Sequence, residues 1–83
     1  MMEVPIKLFA MLQEQLGPEV VISLPDSVTP SLIKTAMATV YPTAKASIDT
    51  ARVAINQTFA VENQRYRLTA HDEVAIIPPV SGG

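Results

Sequence analysis

One segment of this 83-residue chain carries both a helix start and a helix stop, and segments of a different period flank it on either side. Thr29 supplies a capping oxygen, and Pro30 follows at the first helical position, where its missing N–H costs nothing. Leu32, Ile33, Ala36, Met37 and Val40 then recur at helical spacing. Tyr41-Pro42 closes the segment, because a residue before proline avoids the helical region. The chain therefore has one principal helix, and the rest must fold around it.

The flanks alternate. From Glu3 to Phe9, Val4, Ile6 and Leu8 fall on one face and Pro5, Lys7 and Phe9 on the other, which describes a half-buried strand. Ala10 to Leu16 has helical composition and stops at Gly17-Pro18, where a left-handed glycine cap is expected. Glu19 to Leu24, β-branched and apolar, reads as an antiparallel partner of the first strand, ended by Pro25-Asp26-Ser27. Beyond the helix, Thr43 to Ala51 reads as loop or irregular helix. Arg52 to Asn56 alternates again, with Val53 and Ile55 inward, and Asn56-Gln57 turns into a short strand from Thr58 to Val61. Glu62 to Arg67 is a polar connection, Leu68 plugs the core, and a turn at Thr69 to Asp72 leads to a last strand from Glu73 to Pro78 with Val74 and Ile76 inward. Pro78-Pro79 cannot donate to a ladder, so the sheet stops there. The expected class is α+β: one mixed sheet of about five strands, its first and last strands parallel neighbours, with the principal helix on one face. A single domain spans residues 1–83, and residues 78–83 form an extended tail.

Composition limits the chemistry. A domain of this length buries roughly 60–65% of its unfolded surface, and the 48% hydrophobic content supplies the core. With no cysteine there is no disulfide, thiolate metal site or cysteine nucleophile, and a single histidine argues against an imidazole zinc site, so no metal is expected. A net charge of −2 with six scattered basic residues offers no stripe for a phosphate backbone, which argues against nucleic acid. The amino terminus, Met1 to Pro5, reads as neither signal peptide nor anchor, and no apolar run approaches the ~20 residues of a membrane span. A cytoplasmic location is expected.

The tail is where chemistry can reside. Its six residues reach about 20 Å at ~3.3 Å each, two prolines stiffen its root, and its tip, Gly82-Gly83, has no side chain to obstruct a narrow tunnel. The competing reading is a frayed end that happens to contain glycine. The run Asp72-Glu73-Val74-Ala75-Ile76-Ile77-Pro78-Pro79-Val80-Ser81-Gly82-Gly83 resembles the carboxyl-terminal signature of the molybdopterin synthase small-subunit family. The strand into Phe9-Ala10 and the Val53-Ala54-Ile55-Asn56-Gln57 strand and turn fall in that family's order and spacing. The resemblance implies a ubiquitin-like β-grasp fold and a sulfur-carrier role in molybdenum cofactor biosynthesis, non-catalytic in the chain alone. It implies that Gly83 is adenylated by a ubiquitin-activating-like adenylyltransferase using ATP and Mg²⁺, then converted to a thiocarboxylate by a sulfur donor protein. Gly82, Ser81, Val80, Pro79 and Pro78 would thread the active site of a large subunit, in a heterotetramer of two small and two large subunits, to deliver sulfur to a cyclic pyranopterin precursor.

Alternation also exposes Phe9 and Ile77 on the face opposite the core, with Phe59 near them, and apolar exposure of this kind marks a partner surface. The competing reading is that one or more of the three completes the core. Two positions depart from the family pattern. His71 stands where a glycine is usual in the turn before the last strand, a place where histidine tolerates left-handed geometry. Gln13 stands where the first helix often carries a basic residue, leaving Lys7 as the nearby cation. Asp49, Asp72 and Glu73 read as solvated or turn-capping, and Ser47 and Ser81 have no visible base. Sulfur delivery to thiazole in thiamin synthesis, a protein modifier attached to lysine through Gly83, and a plain interaction module are the alternatives.

Overall fold

The alternation of the first strand is realised residue by residue. In β1 (Met2–Leu8) Val4, Ile6 and Leu8 are buried, while Glu3, Pro5 and Lys7 are exposed. A computed structural model describes residues 1–79 of the chain. Next come α1 (Ala10–Leu16), β2 (Glu19–Leu24), β3 (Ser27–Val28), α2 (Pro30–Val40), a 3₁₀ turn (Pro42–Ala44) and α3 (Lys45–Asp49). After them stand β4 (Arg52–Ile55), β5 (Thr58–Phe59), β6 (Tyr66–Arg67) and β7 (Val74–Ile77).

Five strands form one mixed sheet in the order β2-β1-β7-β4-β5. β1 and β7 are the expected parallel neighbours, with Ile6 opposite Val74 and Leu8 opposite Ile76. The other pairs are antiparallel. Inward residues from four of these strands meet α2 in one core, where Ile6, Leu8, Leu24, Ile33, Met37, Val74 and Ile76 are fully buried. Each such side chain contributes about 1.5–3 kcal/mol relative to exposure.

The punctuation of α2 works as its residues dictate. Thr29 Oγ1 accepts from the Leu32 N–H at 3.2 Å, Pro30 opens the helix, and Tyr41 closes it. Ile33 and Met37 are buried, but Val40 is exposed, so the apolar stripe ends one turn before the helix does. α1 stops at Gly17 as expected. Its φ of 93° is open only to glycine, and its ψ of 175° is extended, so the chain turns straight into β2 and is not left in a left-handed cap.

Three expectations change. Among the described residues there are three α-helices where one principal helix was expected: Ala10 to Leu16 is a regular helix, and of the loop or irregular helix expected at Thr43 to Ala51 the helical alternative is realised, a 3₁₀ turn from Pro42 running into α3, because Ala44 and Ile48 are buried and fold that segment onto the core. The polar connection Glu62 to Arg67 contains β6, which pairs with β3 as a separate two-stranded ribbon, Ser27 opposite Arg67 and Val28 opposite Tyr66. The strand after the Asn56-Gln57 turn ends at Phe59, short of Val61. The turn itself holds φ values of 54° and 67°, the positive pair that a two-residue hairpin loop requires. His71 is not among the described positive-φ residues, so its turn makes no left-handed demand on it.

Candidate functional site

The face of the sheet turned away from α2 is where β1, β7, β4 and β5 present their outward residues. Register brings them together: Lys7 lies opposite Ala75, Ala75 opposite Ala54, and Ala54 opposite Phe59, while Ile77 lies opposite Arg52. Small residues therefore form the floor and large ones the walls. Ala54 and Ala75 are almost wholly buried beneath Phe9, Phe59 and Ile77, which frame a depression of about 350 Å³. Phe9 and Phe59 remain nearly half exposed, at 44% and 46%, and Ile77 is half-buried. The three residues singled out for the partner surface thus stand around one concavity. None of them lies in the main core cluster.

Phe9 reaches this face because of a local backbone constraint. It caps α1 in extended geometry, φ −135° and ψ 162°, and Ala10 beyond it has φ 53°. Left-handed geometry costs a non-glycine residue about 1–2 kcal/mol. That strain sits where β1 breaks into α1, at the edge of a second groove lined by Phe9, Ala10, Met11, Glu14, Ile77, Pro78 and Pro79. Phe9 and Ile77 line both concavities, so the two lie side by side, the second reaching the root of the tail.

At that root Pro78 is buried and Pro79 exposed. β7 ends at Ile77, as two prolines demand. Val80, Ser81, Gly82 and Gly83 lie outside the described residues.

Charge at the rim is largely internal. Lys7 forms an ion pair with Glu73, whose carboxylate is thereby held below its usual range, and the Lys7 ammonium is raised by the same hydrogen bond and charge. Asp72 is also lowered, first by the Asn56 side-chain amide and then by the Thr69 backbone N–H, as befits a turn-capping carboxylate. Asp49 pairs with Lys45, and the Ser47 hydroxyl donates to the Met11 sulfur at 3.3 Å. Among the described residues no group of three His, Cys, Asp or Glu could hold a metal ion, and no helix is long and apolar enough to cross a membrane.

Sequence reasoning missed Arg52, whose guanidinium lies 3.9 Å from the centroid of the Phe59 ring. It also missed the floor of Ala54 and Ala75. Their signal was present as alanines at outward positions of two apolar strands, but it acquires meaning only once β4 and β7 are known to be neighbours in this register.

The ThiS family matches this chain over residues 6–83, from the middle of β1 through the tail. The chain belongs to that family. A curated relative, the molybdopterin synthase sulfur carrier subunit of Dictyostelium discoideum, is 36% identical over 81 residues, covering 94% of this chain and 93% of the relative. Among solved structures, small archaeal modifier protein 1 of Haloferax volcanii superimposes with a TM-score of 0.76 at 27% identity, covering 99% of this chain and all of that one. A chain from the protein–protein complex of subunits 1 and 2 of the molybdopterin-converting factor of Helicobacter pylori superimposes with a TM-score of 0.68, covering 99% of this chain and 100% of that one. At 21% identity that last likeness speaks to the fold alone. This member of the ThiS family accordingly has the ubiquitin-like β-grasp fold.

Proposed function

We propose that the chain is the sulfur-carrier small subunit of a molybdopterin synthase. The observation that carries this reading is its 36% identity, over nearly its whole length, to a sulfur carrier subunit of that enzyme, in a chain ending Pro-Pro-Val-Ser-Gly-Gly.

The chemistry follows from what a bare terminal carboxylate lacks. It is a poor acyl donor because it has no adequate leaving group. Adenylation by a partner enzyme, with ATP and Mg²⁺ held by that enzyme, joins the Gly83 carboxylate to AMP and releases pyrophosphate. A persulfide on a donor protein then displaces AMP at the acyl carbon to give an acyl disulfide, and a thiol cleaves its S–S bond, leaving the thiocarboxylate on Gly83 and the thiol oxidised to a disulfide. Sulfur rides on an acyl carbon, which agrees with a sequence that has no cysteine. Gly82 and Gly83 let a partner close around bare backbone, and the large synthase subunit receives the tail and passes the sulfur to a cyclic pyranopterin precursor. The apolar depression framed by Phe9, Phe59 and Ile77, beside the groove at the tail root, gives such partners a surface to grip while the tail extends into their active site. In this reading the large synthase subunit is the partner, in a heterotetramer of two small and two large subunits; a structural neighbour of the same fold comes from a complex of subunits 1 and 2 of a molybdopterin-converting factor.

A second reading, a modifier conjugated to lysine through Gly83, is favoured by the 27% identity to small archaeal modifier protein 1. Thiazole delivery is disfavoured by the Pro-Pro-Val-Ser tail. Incubating the chain with the adenylating enzyme of its own genome, ATP and a sulfur donor, and then measuring intact mass, separates these readings. Exchange of one terminal oxygen for sulfur supports the carrier, and ladders on other proteins support the modifier. No mass change under any condition rejects both. Turnover of the pyranopterin precursor with the large subunit distinguishes pterin from thiazole.

A further inference from the structure

Two cations border the open sheet face, and they are held differently. Lys7 is bound to Glu73, and each shifts the other's titration, so that pair is internally neutralised. Arg52 makes no ion pair and no side-chain hydrogen bond among the described residues; its guanidinium carbon lies over the Phe59 ring, 3.9 Å from the centroid. A guanidinium held over an aromatic face by cation–π attraction keeps its charge and its five N–H donors, a set that suits a carboxylate. The position is also specific. Arg52 lies opposite Ile77, so the charge stands at the carboxyl end of β7.

We propose that Arg52 determines partner choice by reading a carboxylate on the protein surface that also seats an apolar side chain between Phe9, Phe59 and Ile77. The proposal rests on the carrier reading, with the large synthase subunit as that partner. One cation left unpaired among the described residues, beside three apolar walls, suits a protein surface of mixed character, whereas a polyanion would need several cations on this face. A competitor lacking the carboxylate would cover Arg52 and strand a desolvated charge, so the same residue that favours one surface rejects others. Phe59 then has two tasks, as a wall of the depression and as the platform beneath Arg52.

The test is binding of the full-length chain to the large synthase subunit of the same genome, at low and at high ionic strength, for the unsubstituted chain, Arg52→Glu, Arg52→Lys and Phe59→Leu. Arg52→Glu is expected to weaken binding by about tenfold or more at low salt and to flatten its salt dependence. Arg52→Lys is expected to recover only part of the loss, because an ammonium keeps the charge but not the planar set of N–H donors. Phe59→Leu is expected to reduce the penalty of Arg52→Glu when the two are combined, since the platform is gone. Unchanged affinity of Arg52→Glu at both ionic strengths overturns the role of Arg52 and leaves the carrier reading standing. Failure of the unsubstituted chain to bind the large subunit overturns both, and sulfur loading then shows whether a carrier of another kind remains.

Discussion

Asn56 ties the β4–β5 hairpin to the loop before β7 through Asp72: its side-chain amide donates to Asp72 Oδ1 at 2.9 Å, across sixteen residues of sequence. The same side chain accepts from the Glu73 N–H at 2.9 Å. It does this from a positive φ of 54°, where asparagine is more at ease than most residues. Asn56→Ala is expected to cost about 1–2 kcal/mol, combining two lost hydrogen bonds with left-handed strain. Asn56→Gly removes the bonds but not the geometry and should cost less; denaturant titration of the two variants checks the order.

The pH dependence of stability has two limbs. Asp72, held low chiefly by Asn56, and Glu73, held low chiefly by Lys7, both have folded values below their unfolded ones. Their contributions are present above the unfolded carboxylate range, about 4, and are lost as pH falls through the folded values. Lys7 is raised, so its contribution is present below about 10.4 and is lost as pH rises through the folded value. Asp72→Asn should therefore show a shallower acid loss of melting temperature, and Lys7→Gln a shallower alkaline loss. A melting profile from pH 2 to 11 indistinguishable from that of the unsubstituted chain would remove these pairs from the account.

Neighbouring isoleucines on β7 should fail in opposite ways. Ile76 is fully buried in the core cluster, so Ile76→Ala should cost about 2–5 kcal/mol and shift the denaturation midpoint strongly. Ile77 faces the depression and is half-buried, so Ile77→Ala should change stability by no more than about 1 kcal/mol while weakening capture of the large subunit. Equal destabilisation by both would mean that Ile77 packs as core.

The end of the chain should tolerate no change in length. Deleting Gly83, or adding one residue after it, is expected to abolish sulfur loading in the intact-mass assay and to leave the unfolding curve where it was. Retained loading in either variant contradicts an acyl donor at Gly83.

Much of the architecture is local and so was readable from the chain alone. Thr29 and Pro30 start α2 wherever it packs, because capping and a fixed φ act within four residues. Alternation assigned the faces of β1 and β7, Asn56-Gln57 marked the hairpin, and two prolines ended the last strand. Parity also put Phe9 and Ile77 on the side away from the core. What tertiary structure decided were the contacts whose partners lie far apart in sequence. β6 is two residues in a polar stretch and exists because β3 lies beside it; α3 is ordered because Ile48 and Ala44 find the core. Pro78 is buried because of what folds around it. Arg52 is an unremarkable surface cation until strand register sets it over Phe59 and opposite Ile77. Local rules depend on a few adjacent torsions, whereas these placements depend on which strands meet and in what register, and no short window of sequence contains that information.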